Sequence, residues 1–170
     1  MNLPADSPAS FAPRRPLLPA LLALPFSLIP DTAHSTALTT ALNALFAASI
    51  REGEFEFLRD RTLLVQVRDA KVSYRLRYAG SAGFAIGSRE RKPDLTISGT
   101  VYDFLALATR REDSDTLFFN RRVVMEGDTA LGLELKNWLD GVDFDAIGGL
   151  LPPLLRAANG LLGVYERFGR

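Results

Sequence analysis

The chain has no cysteine and a single histidine, His34, in 170 residues. Without cysteine there is no disulfide, no thiolate nucleophile and no cysteine-ligated zinc or iron–sulfur site. One histidine cannot build a His-rich metal centre, and no Ser-His-Asp or Cys-His set exists. His34 reads as a surface or capping residue near a helix start. Lysine is also scarce: three Lys stand against seventeen Arg. Arg suits bidentate contacts to phosphate or carboxylate, although a coding bias gives the same ratio. Twenty basic residues balance twenty acidic ones, which argues against a general nucleic-acid binder. The glycine-rich run Gly80 to Gly87 lacks phosphate-loop spacing and a following Lys-Thr, so it reads as a hairpin. Asp113 and Asp115, and Asp140, Asp143 and Asp145, read as loop charges and helix caps rather than an acid–base pair. Arg110-Arg111 and Arg121-Arg122 read as water-facing element ends. No cofactor motif, metal set or catalytic set remains, and the chain is expected not to be an enzyme.

What is present is apolar and unevenly distributed. Seven of the ten prolines lie in residues 1–30, which form a Pro- and Leu-rich N-terminal arm. Arg14 and Arg15 precede Leu17 to Ile29, an apolar run broken by Pro19 and Pro25. About 13 residues of helix reach only ~20 Å, short of the ~30 Å hydrocarbon core of a bilayer. The run resembles a secretory signal in polarity but has no clean small-x-small site. An arm lying on a membrane surface or on the domain fits better.

Residues 31–146 read as one folded domain. Leu38, Leu42, Leu45, Phe46 and Ile50 recur at helical spacing, and Gly53 ends that helix. Period-two alternation follows. It runs through Phe55 and Phe57, then Leu63, Val65 and Val67, then Val72, Tyr74, Leu76 and Tyr78. Phe84 with Ile86, and Leu95 with Ile97, form two more short strands. Residues 100–111 return to helical spacing through Val101, Phe104, Leu105 and Ala108. Asp113 to Asn120 is a connector carrying Leu117, Phe118 and Phe119. Arg122 to Glu126 is a last strand. Gly127 turns the chain, and Asp128 or Thr129 caps a helix with Leu131, Leu135, Trp138 and Leu139 on its apolar face. This order predicts an α+β fold: a mostly antiparallel meander of about five strands, covered on one face by helices.

The apolar faces supply the candidate site. Phe55, Phe57, Val65, Val67, Phe84, Ile86, Leu95, Ile97, Phe104, Phe118, Phe119, Leu131, Leu135 and Trp138 all fall on them. Each is ordinary core singly, but together they can line an apolar cavity. The spacing of Leu131, Leu135 and Trp138 turns that helix face toward Phe84, Ile86, Leu95 and Ile97. Residues 147–170 form an amphipathic C-terminal helix with a stripe from Ile147 to Phe168. Such a stripe seals a core, pairs with a second copy in a homodimer, or lies on a bilayer.

The layout from about Thr32 to Asp145 resembles the sterol carrier protein 2 (SCP2) domain. More narrowly, the run Asp115-Thr-Leu-Phe-Phe-Asn-Arg-Arg-Val-Val-Met-Glu-Gly-Asp-Thr-Ala-Leu-Gly-Leu and the run Glu52-Gly-Glu-Phe-Glu-Phe-Leu resemble the bacterial SCP2-type accessory factors of oxygen-independent ubiquinone biosynthesis. The resemblance implies a lipid-binding fold with an apolar tunnel and no catalytic residues. It implies polyprenylated ubiquinone-biosynthesis intermediates, other prenylquinone precursors or phospholipid as ligands. It implies peptidase U32-like iron–sulfur hydroxylases as partners, and a cytoplasmic protein that can sit at the inner membrane. The rival reading is a scaffold with a filled core, assembling biosynthetic enzymes without carrying lipid.

Overall fold

The structure, a computed structural model, describes residues 31–142 and five helical positions beyond them: Pro153, Arg156, Ala157, Gly160 and Gly163. The arm expected at 1–30 and the stripe expected at 147–168 fall outside this description, apart from those five positions.

The expected first helix is two helices. α1 spans Asp31–Leu45 and α2 spans Ala47–Glu52, and Gly53 closes α2 in the left-handed conformation at φ 76°, as a C-terminal glycine should. The Phe55–Phe57 alternation is not a strand. Glu56–Leu58 form a 3-10 turn, with the Glu56 amide donating to Gly53 O and the Leu58 amide to Phe55 O. Four alternating residues cannot separate a strand from a tight turn, and here local turn bonds take the backbone groups. Phe55 and Leu58 are buried and Phe57 is half-buried.

Five strands follow: β1 (Thr62–Val67), β2 (Val72–Tyr78), β3 (Phe84–Ile86), β4 (Leu95–Gly99) and β5 (Val124–Gly127), in the spatial order β3-β2-β1-β4-β5. The sheet is mixed, not an antiparallel meander, because β4 pairs parallel with β1 while the other three pairings are antiparallel. The chain leaves β3 at one edge and re-enters on the far side of β1.

Asp94 fixes that re-entry. Its amide donates to Thr62 O (2.8 Å) and its carboxylate Oδ2 accepts from the Thr62 amide (2.7 Å). Its own carbonyl accepts from the Asp128 amide (2.9 Å). The start of β1, the start of β4 and the start of the helix that follows β5 therefore meet at one residue.

The remaining helices are α3 (Val101–Ala108), α4 (Ser114–Phe119) and α5 (Thr129–Gly141). Each begins at a side-chain cap. Thr100 and Asp103 form a reciprocal capping box on α3, Asp113 accepts from the Thr116 amide, and Asp128 accepts from the amides of Ala130 and Leu131. The Asp113 cap makes Asp113 to Asn120 a helical turn rather than the expected connector. α1 lies over β2 and β3. Its Asn43 side chain donates to Phe84 O (2.8 Å) and accepts from the Phe84 amide (2.7 Å), so an amide side chain satisfies backbone of the edge strand.

Gly127 sits at φ 124°, where an added Cβ would come 2.3 Å from Asp94 O. Gly127→Ala is expected to destabilise by at least roughly 1–3 kcal/mol from backbone strain alone. Gly141→Ala should be near neutral, because nothing lies within 4 Å of a Cβ there. Chemical denaturation of both variants checks the contrast.

Candidate functional site

Cross-strand register arranges the inner face of the sheet in rows. Leu76, Leu63 and Leu95 form one row, and Tyr74, Val65, Ile97 and Met125 the next. The first is fully buried: Leu131 and Leu135 of α5 join it in one cluster, and an added Cβ at Gly132 of α5 would meet Leu95 Cδ1 at 3.5 Å. In the second row only Ile97 is buried, while Tyr74, Val65 and Met125 are half-buried. Val67 is half-buried as well, and Phe104 of α3 packs over Gly99, where an added Cβ would sit 3.2 Å from its ring. Burial therefore falls from the Leu63 row toward the Val65 row.

At the other end of the face the packing is aromatic. Phe55 touches Phe84 (5.0 Å between ring centroids), Trp138 (4.6 Å) and Phe46 (5.6 Å), and Tyr78 touches Phe55 and Phe84. Edge-to-face and tilted contacts at these distances leave no room between the rings. Trp138 also donates from Nε1 to Glu54 Oε2 (3.2 Å). It faces Phe46 and Phe55 rather than the strand residues expected opposite it.

The candidate residues thus separate. Phe55, Phe84, Leu95, Ile97, Leu131 and Leu135 are buried in one cluster, and Phe57, Val65, Phe104, Phe118 and Trp138 pack partly buried against it. Two depart from the expected face. Phe119 is 91% exposed and Ile86 46% exposed. Phe119 ends a six-residue helix whose inward position is Leu117, and Ile86 lies at the end of an edge strand. Phe46 and Tyr78 belong to the aromatic cluster but were not among the candidates. The alternation places Tyr78 on the inner face, so its signal was present in the sequence.

A buried ionic network closes the α3 side. Arg122 Nε donates to Asp103 Oδ1 (2.7 Å), and Nη1 pairs with Glu112. Arg122 and Asp103 are both buried. Burial opposes the charge on Arg122, but the hydrogen bonds to Glu112 and Asp103 outweigh it and raise its pKa above the ordinary value. Arg122 also lies over the Tyr102 ring, and its backbone carbonyl accepts from Arg68 (2.9 Å). The network ties α3, the α4–β5 turn and the β1–β2 turn together. No group of three or more His, Asp or Glu that could hold a metal occurs among the described residues. No described helix is long and apolar enough to cross a membrane.

Open grooves mark the surface of the described residues. One lies between α3, α4 and α5 beside Leu107 and Leu139, and another at the outer side of β2. Both mix polar and apolar walls, and neither is an apolar tunnel.

A helix-flanked mixed sheet of this order can be compared with known folds. The model of the SCP-2 sterol transfer family matches residues 40–140. The chain belongs to this family. It is 35% identical over 137 residues to the ubiquinone biosynthesis accessory factor UbiT of Escherichia coli K12, covering 81% of this chain and 78% of that one. The UbiT of Escherichia coli O157:H7 matches to the same extent. Among solved structures, the UbiJ-SCP2 ubiquinone synthesis protein superposes with a TM-score of 0.54 at 16% identity, covering 66% of this chain and 93% of that one. That likeness bears on the SCP2 fold alone.

In this SCP2 domain the Arg122 network makes a sharp energetic prediction. Asp103→Ala leaves a buried guanidinium short of a partner and should cost roughly 3–5 kcal/mol. Replacing Asp103 and Arg122 together by Leu and Met should recover part of that loss, the remainder being the α3 capping box that both variants lack. Urea titrations of the single and double variants report both values.

Proposed function

We propose that this chain is a non-catalytic lipid-binding accessory factor of ubiquinone biosynthesis. In this reading it seats polyprenylated intermediates, or other lipids, on its inner apolar face. It presents their rings to oxygen-independent hydroxylases of the peptidase U32-like iron–sulfur class. The observation that carries the reading is the graded burial of that face: a packed Leu63–Leu95 row beside a half-buried Val65–Tyr74–Met125 row. The likeness to UbiT supports the pathway, and the family supports the ligand class.

The energetics favour a carrier. Each CH₂-sized group left in water costs ~0.8 kcal/mol, so a five-carbon isoprene unit represents roughly 3–4 kcal/mol. Half-buried side chains offer contact surface that several such units can cover without any directional chemistry. Tail length and shape then set recognition, and the ring stays available to a separate hydroxylase. Such a protein works in the cytoplasm and at the inner-membrane surface, with the apolar arm at 17–29 as its membrane contact.

One observation favours the rival reading, a scaffold without cargo. The Phe46–Phe55–Phe84–Trp138 cluster is filled, with ring centroids 4.6–5.6 Å apart. Native mass spectrometry of the purified protein separates the two. The carrier reading predicts lipid adducts in near-stoichiometric amount, or uptake of a prenylquinone added in detergent. Bare chain under both conditions leaves only the scaffold.

Leu135 gives a second test. It is buried against the Leu95 row, so Leu135→Trp should overpack it and cost roughly 1–3 kcal/mol. Because the proposed seat is the Val65 row, lipid content should stay unchanged. Thermal melts of the stripped variant and lipid extraction check the pair; a fall in lipid content would move the seat to the Leu95 row.

A further inference from the structure

The outer face of the sheet carries a groove with a different character. Its volume is about 390 Å³, near the small end of the ~300–1,000 Å³ range of ligand pockets. The floor is a square of two cross-strand pairs, Leu64 opposite Arg75 and Gln66 opposite Ser73. These residues alternate with the inner-face residues Val65, Tyr74 and Leu76, so they point away from the core. Ile86, Gly87 and Arg89 form one wall, and Ser35 of α1 closes an end. The square lies where β3 has run out: Gly87 N still donates to Arg75 O (2.9 Å), and β2 continues past it to Val72. Gly87 hugs this edge, with an added Cβ only 3.4 Å from the Arg75 Cβ.

The groove mixes apolar surface with several polar groups that converge on it. Leu64 and the half-exposed Ile86 supply flat apolar surface. Ser73, Gln66 and Arg75 supply donors. The Arg75 guanidinium gives one Nη1 bond to Arg91 O (2.9 Å). That anchors the side chain through a neutral carbonyl and leaves its charge and its remaining N–H groups available. Among the described residues that line this groove there is no carboxylate. A planar guanidinium fork beside hydroxyl and amide donors matches a single carboxylate in shape and charge. The volume suits a ring or short chain rather than a polyprenyl tail.

We propose that this outer groove is a binding site for a small organic monocarboxylate with an aromatic or short-chain body, held by Arg75 and Ser73 over Leu64. The site is on the opposite face from the proposed lipid seat and does not rest on that reading.

The test uses the full chain and benzoate as probe, followed by amide ¹⁵N–¹H spectra. The expected result is saturable shifts confined to residues 64–66, 73–75 and 86–89. Benzyl alcohol, which keeps the ring but lacks the carboxylate, should bind at least about tenfold more weakly, the loss expected for a charge-assisted hydrogen bond. Inorganic phosphate, which lacks the ring, should also be weaker. Arg75→Gln should weaken benzoate by about tenfold or more. Ser73 is exposed, so Ser73→Asp places a like charge in the groove without touching the core. That variant should abolish binding while its thermal midpoint stays at the wild-type value. Absent or non-saturable shifts, equal binding of benzyl alcohol or phosphate, or full binding by Ser73→Asp would each overturn the assignment.

Discussion

The register between β1 and β4 governs everything on the inner face, and Asp94 sets it. Two of its hydrogen bonds run to the backbone of Thr62 and a third comes from Asp128. Parallel strands have no hairpin to fix their alignment. A one-residue slip would send Leu95 and Ile97 to the solvent side and bring Thr96 and Ser98 inward. The clamp also explains Gly127, whose bare Cα lets β5 pass against the Asp94 carbonyl. Once β4 is aligned, Leu63 lies beside Leu95 and Val65 beside Ile97. The capped start of α5 at Asp128 then directs Leu131 and Leu135 onto the first of those rows.

Two kinds of packing follow from that alignment. The aromatic cluster and the Leu63 row behave as solid protein interior, where added volume is resisted. The Val65 row itself keeps part of its surface exposed at Val65, Tyr74 and Met125, and the half-buried Phe104 packs over Gly99 beside it. A rigid floor beside an incompletely covered apolar strip is a physically sensible seat for a flexible tail, since the floor need not reorganise when the ligand arrives. The Arg122–Asp103 pair contributes to that rigidity by fixing α3, whose Phe104 borders the strip.

Much of this was legible in the chain, for identifiable reasons. The long alternations of β1 and β2 and the helical stripes of α1 and α5 read correctly because each spans several periods. Residues 115–133 and 52–58 carried enough specific sequence to point to the SCP2 family. Short-range ambiguity caused the Phe55–Phe57 error, where a 3-10 turn imitates alternation. The helix at Ser114–Phe119 hides behind a single cap residue, Asp113. The parallel β1–β4 pairing could not be read, because no helix fills the crossover between β3 and β4 and the Asp94 clamp acts 32 residues away from Thr62. The Arg122–Asp103 pair spans 19 residues, and nothing local distinguishes Arg122 from the exposed Arg121 beside it. Among the candidate residues, Phe119 and Ile86 went astray because apolar character alone does not reveal which way a helix end or an edge strand faces.

The proposed lipid seat is the Val65 row, with the Leu63 row left intact. Intermolecular NOEs between a prenylquinone tail and the methyl groups of the protein test it most directly. A tail seated on the Val65 row should give contacts to Val65, Ile97 and Met125, with none to Leu63, Leu95 or Leu131. Contacts concentrated on Leu63, Leu95 and Leu131, or none at any inner-face methyl in a lipid-loaded sample, would contradict it.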